Sequence, residues 1–172
     1  MSNFSVNTTS YLRNFYSPYR ALITESAREQ VSSSKLSEAD SNALKQAIRA
    51  LEDYNYMKDE DDVTTAEKTR FDRELRAFID TYNYSIESSS NSSNRSIKKA
   101  GEGLKKLAEE YADELKDVGI TVKKTGYLNL SSSATTNLRL STFGDMFSSS
   151  SKFLKKANEY AGKIYRHIDA YA

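Results

Sequence analysis

The only proline in this 172-residue chain stands at position 18. Every later residue keeps its backbone N–H, so nothing downstream forbids a helix by that route. Six glycines are the remaining strong breakers, and long stretches contain none. In those stretches apolar residues recur at three- and four-residue steps, which places them on one face of a helix. A chain of this kind is obliged to be mainly helical, and each helix must bury its stripe against another.

Serine marks the joints. Clusters fall near positions 32, 89, 132 and 149, and Ser favours caps and turns because its hydroxyl competes for nearby backbone groups. Ser17-Pro18 reads as the start of a first helix, carrying Tyr19, Leu22 and Ile23 inward. Ser37 with Asp40 three residues on reads as a capping box for a second, with Ala43, Leu44, Ala47, Ile48 and Leu51 on its face. Thr64 with Glu67 is a full capping box, and Phe71, Leu75, Phe78, Ile79, Tyr82 and Ile86 form an unbroken stripe behind it. Asn94 caps the next helix, whose seam of Ile97, Ala100, Leu104, Leu107, Ala108, Tyr111, Leu115 and Val118 is close to heptad spacing. The short polar turn between these two predicts an antiparallel hairpin. A last helix carries Phe153, Leu154, Ala157, Tyr160, Ala161 and Ile164. Residues 1–16 are polar and expected to be poorly ordered.

Only residues 115–147 leave helical periodicity. Gly119 stands where a helix end wants a left-handed residue. Ile120-Thr121-Val122 and Tyr127-Leu128-Asn129-Leu130 read as two short strands, with Gly126 in the tight loop between them. Ser131 restarts a shorter helix towards Leu138, Phe143, Met146 and Phe147. The expected fold is one domain, 1–172: mainly α, an elongated antiparallel, coiled-coil-like bundle with one small β-hairpin at about 120–130.

Composition narrows the function. Lys and Arg number 25 against 24 Asp and Glu, and a nucleic-acid footprint normally needs a basic excess on one face, so no nucleic acid is expected. Lys98-Lys99, Lys105-Lys106 and Lys155-Lys156 read as solvated helix faces. No apolar run reaches the roughly 20 residues a membrane span requires. The N-terminus lacks a basic stretch followed by an apolar one, so it does not read as a cleavable signal; the expected location is cytoplasmic, or outside the cell by a signal-independent route. Cysteine is absent, which removes disulfides and thiol chemistry. Lys58-Asp59-Glu60-Asp61-Asp62 lacks the alternation and turn glycine of a calcium loop and reads as an acidic lead into a helix N-terminus. The one histidine, His167, reads as a surface helix residue. No catalytic, cofactor-binding or metal-ligating residue is assigned, and no enzyme is expected.

One segment, Ala77-Phe78-Ile79-Asp80-Thr81-Tyr82-Asn83, is similar to a Phe-hydrophobe-x-x-Tyr-Asn helix. Val118-Gly119-Ile120-Thr121, Gly126-Tyr127-Leu128-Asn129-Leu130 and Met146-Phe147 follow in order, like a Leu-Gly-Ile segment, an Asp-Gly-x-Leu hairpin and a terminal Leu-Phe. On these residues, within about 65–172, the chain resembles the C-terminal helical portion of the flagellar filament-capping protein (hook-associated protein 2) family. Thr125 stands where that family has Asp, and the chain lacks the length for its β-rich outer domains. The resemblance implies a short, divergent bacterial relative that keeps the helical stalk and hairpin. The functional expectation is a non-enzymatic structural or assembly protein. Its partners would be proteins met through helical surfaces: copies of itself, axial-type proteins or a chaperone. The alternative is a soluble binding module that recognises a peptide or glycan through a Tyr-rich face drawn from Tyr11, Tyr16, Tyr19, Tyr54 and Tyr56.

Overall fold

Four long helices carry the molecule in the computed structural model, which describes residues 6–169 and the side chains of 9–167. They are α3 (Ser33–Glu52), α4 (Thr65–Ser90), α5 (Arg95–Glu110) and α8 (Lys152–Asp169). Each packs on two others in the cyclic order α3, α4, α5, α8. Neighbours run antiparallel: Tyr160 of α8 lies over Gly103 of α5, while Lys156 reaches Glu110 at 3.3 Å. The expected mainly α bundle with a hairpin is therefore the fold, in an up-down-up-down arrangement. Among the described residues no helix is long and apolar enough to cross a membrane.

The core is an aromatic spine. Phe71 meets Phe143 at 4.9 Å between ring centroids, and Phe78 meets Phe147 at 5.6 Å and Phe153 at 6.4 Å. All five rings are buried, and each contributes about 1.5–3 kcal/mol relative to an exposed position. Two glycines let α5 approach its neighbours closely. A Cβ on Gly101 would lie 1.9 Å from Ser89 Oγ of α4, and one on Gly103 would lie 2.2 Å from the Tyr160 ring.

Local chemistry sets most of the helix ends. Thr64 Oγ1 accepts from the Glu67 amide at 3.1 Å, and the Glu67 carboxylate accepts from the Thr64 amide at 2.8 Å, which completes the capping box. Asn94 accepts from the amides of Ser96 and Ile97. After α5 the chain breaks at Tyr111 and resumes as α6 (Ala112–Asp117), where the sequence predicts one helix through Val118. Gly119 then takes φ +82°, open to glycine without strain. Strands β1 (Ile120–Val122) and β2 (Leu128–Leu130) pair antiparallel, Ile120 opposite Leu130, and Gly126 closes the loop at φ +80°. Ser131 caps a 3₁₀ turn, Ser132–Thr135. The single shorter helix expected after it is instead this turn, a second one at Leu140–Phe143 and α7 (Gly144–Phe147). Leu138, Leu140, Phe143, Met146 and Phe147 are all buried, a spacing that suits no single helix face.

The N-terminal region departs most from expectation. Its described part is not a loose tail: α1 (Val6–Phe15) lies against α3 and α4 and buries Leu12 and Phe15, and Tyr16 in the turn after it is buried too. Residues 1–5 lie outside the described part. Ser17-Pro18 forms a turn with a cis peptide bond rather than a helix start. A 3₁₀ turn at Arg20–Ile23 and the four-residue α2 (Glu25–Arg28) follow. Ser37 and Asp40 do not cap α3. Ser32 does, accepting from the Lys35 amide at 3.3 Å, and Ser37 and Asp40 are buried inside the helix. Their positions face the core, so Asp40 is spent on an inward partner.

Candidate interaction surfaces

The one strand pair is held by a side chain. Asn83, on the outer part of α4, donates from Nδ2 to the Leu128 carbonyl at 2.9 Å and accepts the Leu128 amide on Oδ1 at 2.8 Å. The amide thus stands in for a neighbouring strand on β2. A two-stranded ribbon alone is marginal in water, so this clamp and the burial of Ile120 and Leu128 against the bundle fix the hairpin in place. One residue back, Tyr82 donates its hydroxyl to the Leu104 carbonyl of α5, and a turn further back Phe78 packs on Phe147. The quoted helix segment and the residues 118–130 and 146–147 are therefore in direct contact.

The N-terminal region is held by charge. Arg28 donates from Nη1 and Nη2 to the two oxygens of Asp40, each at 2.8 Å. Arg28 Nη1 also donates to the Leu22 carbonyl at 3.1 Å, and Tyr16 donates to Asp40 Oδ1 at 2.6 Å. The guanidinium lies 3.9 Å from the centroid of the Tyr84 ring on α4. Burial opposes the positive charge of Arg28, but Asp40 outweighs it and holds the guanidinium above its ordinary pKa. Burial, then Asp40, raises the Tyr16 hydroxyl well above its usual value. The sequence reading does not find this cluster. Its trace is Asp40 on the apolar face of α3, one turn before Ala43 and Leu44, where a carboxylate needs a buried partner.

The tyrosines grouped above as one face do not form one. Tyr16 and Tyr56 are buried, and Tyr11, Tyr19 and Tyr54 are half-buried against the core. Three of the hydroxyls are engaged inside the chain: Tyr16 donates to Asp40, Tyr19 to Glu38 at 3.0 Å and Tyr56 to the Leu51 carbonyl at 2.6 Å. His167 is half-buried near the end of α8. Among the described residues no group of three His, Cys, Asp or Glu could hold a metal ion. In the acidic run, Glu60 accepts from the Ser141 amide and hydroxyl at 3.0 and 2.9 Å, tying it to the segment before α7.

Beside that tie is an open depression of about 580 Å³ between the first turns of α4 and residues 135–139. Leu138 is its one apolar wall. The others mix signs and are engaged: Lys68 lies 3.8 Å from Glu60, and Asp72 and Thr135 both accept from Arg76 outside the depression, Thr135 at 3.0 Å. An orienting pocket for a small molecule is mostly apolar with a few convergent polar groups, and this wall is the reverse.

The two ends of the bundle carry groups of exposed charge of opposite sign. Residues 95–172 hold 14 Lys and Arg against 9 Asp and Glu, while residues 1–94 hold 11 against 15. At the end of the bundle where α5 starts and α8 finishes, Arg95, Lys98, Lys99, Lys163 and Arg166 are all exposed. At the other end, where α3 finishes and α4 starts, Asp53, Asp59, Asp61 and Asp62 are exposed. None of these nine takes part in an ion pair among the described residues. The ends are separated by the 26 residues of α4, about 39 Å at 1.5 Å per residue.

The fold defines a class: a mainly α four-helix bundle with a clamped β-hairpin. No protein-family model matches the chain, and no curated protein or solved structure matches it.

Proposed function

We propose that the chain is a structural or assembly protein with no catalytic task, akin to the stalk region of flagellar axial and cap proteins. One observation carries the reading. The segments that resemble that family form one packed unit, with Asn83 clamping Leu128 and Phe78 packing on Phe147. The buried charged groups also serve the fold: Asp40 holds Arg28, and Glu74 accepts from Arg70 at 3.0 Å. What remains for function is the exposed helical surface.

Removing the last helix is not a clean test, because Phe153, Leu154, Ala157, Ala161 and Ile164 of α8 are part of the core. The test uses the intact chain, with a photo-reactive residue placed at exposed surface positions and irradiated in the native cell. Light scattering of the purified protein runs alongside. Cross-links to a second copy, to an axial-type protein or to a chaperone are expected. A strictly monomeric chain with no cross-linked partner would overturn the reading.

A further inference from the structure

The two charged ends carry an inference that rests on the assembly reading and gives it a partner and a geometry. We infer that copies of this chain associate head to tail, the basic end of one against the acidic end of the next.

Each end holds charge that the helix dipole disfavours in the isolated molecule. Arg95, Lys98 and Lys99 stand on the first turns of α5, which holds no acidic residue in its first turn. That is the positive end of the helix dipole, where cations are disfavoured. Lys163 and Arg166 come up beside them from the antiparallel α8. Of the acids on the same two helices, Glu102 is engaged by Lys105 at 3.1 Å, and the exposed Glu159 forms no ion pair with this patch. Lys163 faces the Tyr160 ring at 5.2 Å rather than an acid.

At the opposite end one charge is disfavoured in the same way, with reversed sign. Asp53 follows the C-terminus of α3, where the dipole disfavours anions, and burial together with Asp53 raises the neighbouring Glu52 carboxyl. Asp59, Asp61 and Asp62 stand on the same end, where Lys58 is taken by Glu67 and Lys68 by Glu60. Unpaired like charges at one place oppose the compact state. Exposed groups of opposite sign attract when the two ends meet.

The whole chain, with a formal net charge of +1, has almost no net repulsion to keep copies apart. A second copy fits better than a general polyanion, because it supplies an acidic surface to one end and a basic surface to the other. The contact joins two different patches, so it does not close on itself. It extends into rows unless a rotation happens to complete a ring.

The experiment uses the full chain and two charge-reversed variants. One carries Lys98→Glu, Lys99→Glu and Arg166→Glu; the other carries Asp59→Lys, Asp61→Lys and Asp62→Lys. All six sites are exposed, so circular dichroism should report an unchanged fold for both. Sedimentation velocity of the native chain should show concentration-dependent association at about 0.02 M salt, weakened at least tenfold at about 0.3 M as screening sets in. Each variant alone should be monomeric. Mixed in equal amounts, they should associate again, because one offers two acidic ends and the other two basic ends.

A native chain that stays monomeric at low salt overturns the inference. The assembly reading then stands if cross-linking in the cell captures another protein, and falls with it if none is captured. Association that persists in each variant alone overturns only the head-to-tail contact and leaves self-assembly in place.

Discussion

Two segments lean on α4, and they are fastened in different ways. The β-hairpin is held by a neutral amide: Asn83 bonds both backbone groups of Leu128. The N-terminal region is held by a buried ion pair between Arg28 and Asp40, with Tyr16 completing the carboxylate and Tyr84 beneath the guanidinium. Adjacent residues of one helix, Asn83 and Tyr84, therefore serve two attachments of opposite character. A neutral clamp is a modest, separable contribution. A desolvated ion pair gives little net stability when intact, but its rupture leaves an uncompensated charge. The N-terminal attachment should accordingly be all-or-none and the hairpin attachment graded.

The largest effect is expected from Asp40→Asn. It removes one acceptor charge and leaves Arg28 buried and unpaired, which costs about 3–5 kcal/mol. Urea unfolding with a tryptophan-free probe such as far-ultraviolet dichroism measures it. The double replacement Arg28→Met with Asp40→Leu should regain most of that loss, since an apolar pair of similar volume dispenses with desolvation. If the single variant loses under about 1 kcal/mol, the contrast between the two fastenings is wrong.

The next effect belongs to Asn83→Ala. It leaves the Leu128 amide and carbonyl without their partner, a loss of about 1–3 kcal/mol. Because the hairpin packs at the edge of the bundle, the consequence should be local. Hydrogen exchange at the Leu128 amide should speed up more than exchange in α4 or α8. Equal acceleration everywhere would mean that the hairpin is integral to the cooperative core and that the clamp is not separable.

These two attachments also mark how far the sequence could be read. Caps and turns were legible because their chemistry is local: Thr64 with Glu67, Asn94, Gly119, Gly126 and Ser131 each act within a few residues. The stripes of α4, α5 and α8 were legible for the same reason. Asp40 was misread because two meanings of Ser-x-x-Asp compete, and the choice is made by Arg28, 12 positions away. The docking of α1 was hidden because its polar composition outweighs the buried Leu12 and Phe15, with Tyr16 in the turn after them. Residues 131–147 have no period, since their apolar side chains enter the core from two 3₁₀ turns and a four-residue helix. The charge division was present in the sequence, yet a total near zero concealed it. Only the antiparallel order of α5 and α8 brings Arg95, Lys98 and Lys99 beside Lys163 and Arg166.

The smallest effect, and the one most specific to the seam between the two attachments, is expected at Asp80. It lies three residues before Asn83 and four before Tyr84, on the strip of α4 between them. The residue is half-buried, and burial raises its carboxyl to about 7, against a weaker opposing pull from Arg76. The sign follows from proton uptake. Well below pH 4 the group is protonated in both folded and unfolded chains and has no influence. Between about 4 and 7 the folded chain keeps a proton that the unfolded chain has lost, so stability falls as pH rises, and above 7 the penalty is constant. Asp80→Asn removes the charge and should therefore stabilise the protein at pH 8, by about 1 kcal/mol once solvent screening is allowed for. The gain should shrink to nothing towards pH 4, as denaturant midpoints at pH 4, 6 and 8 will report. A gain that does not change with pH would assign the effect to packing. A loss at pH 8 would place a cation against Asp80 and make the seam a third charged fastening.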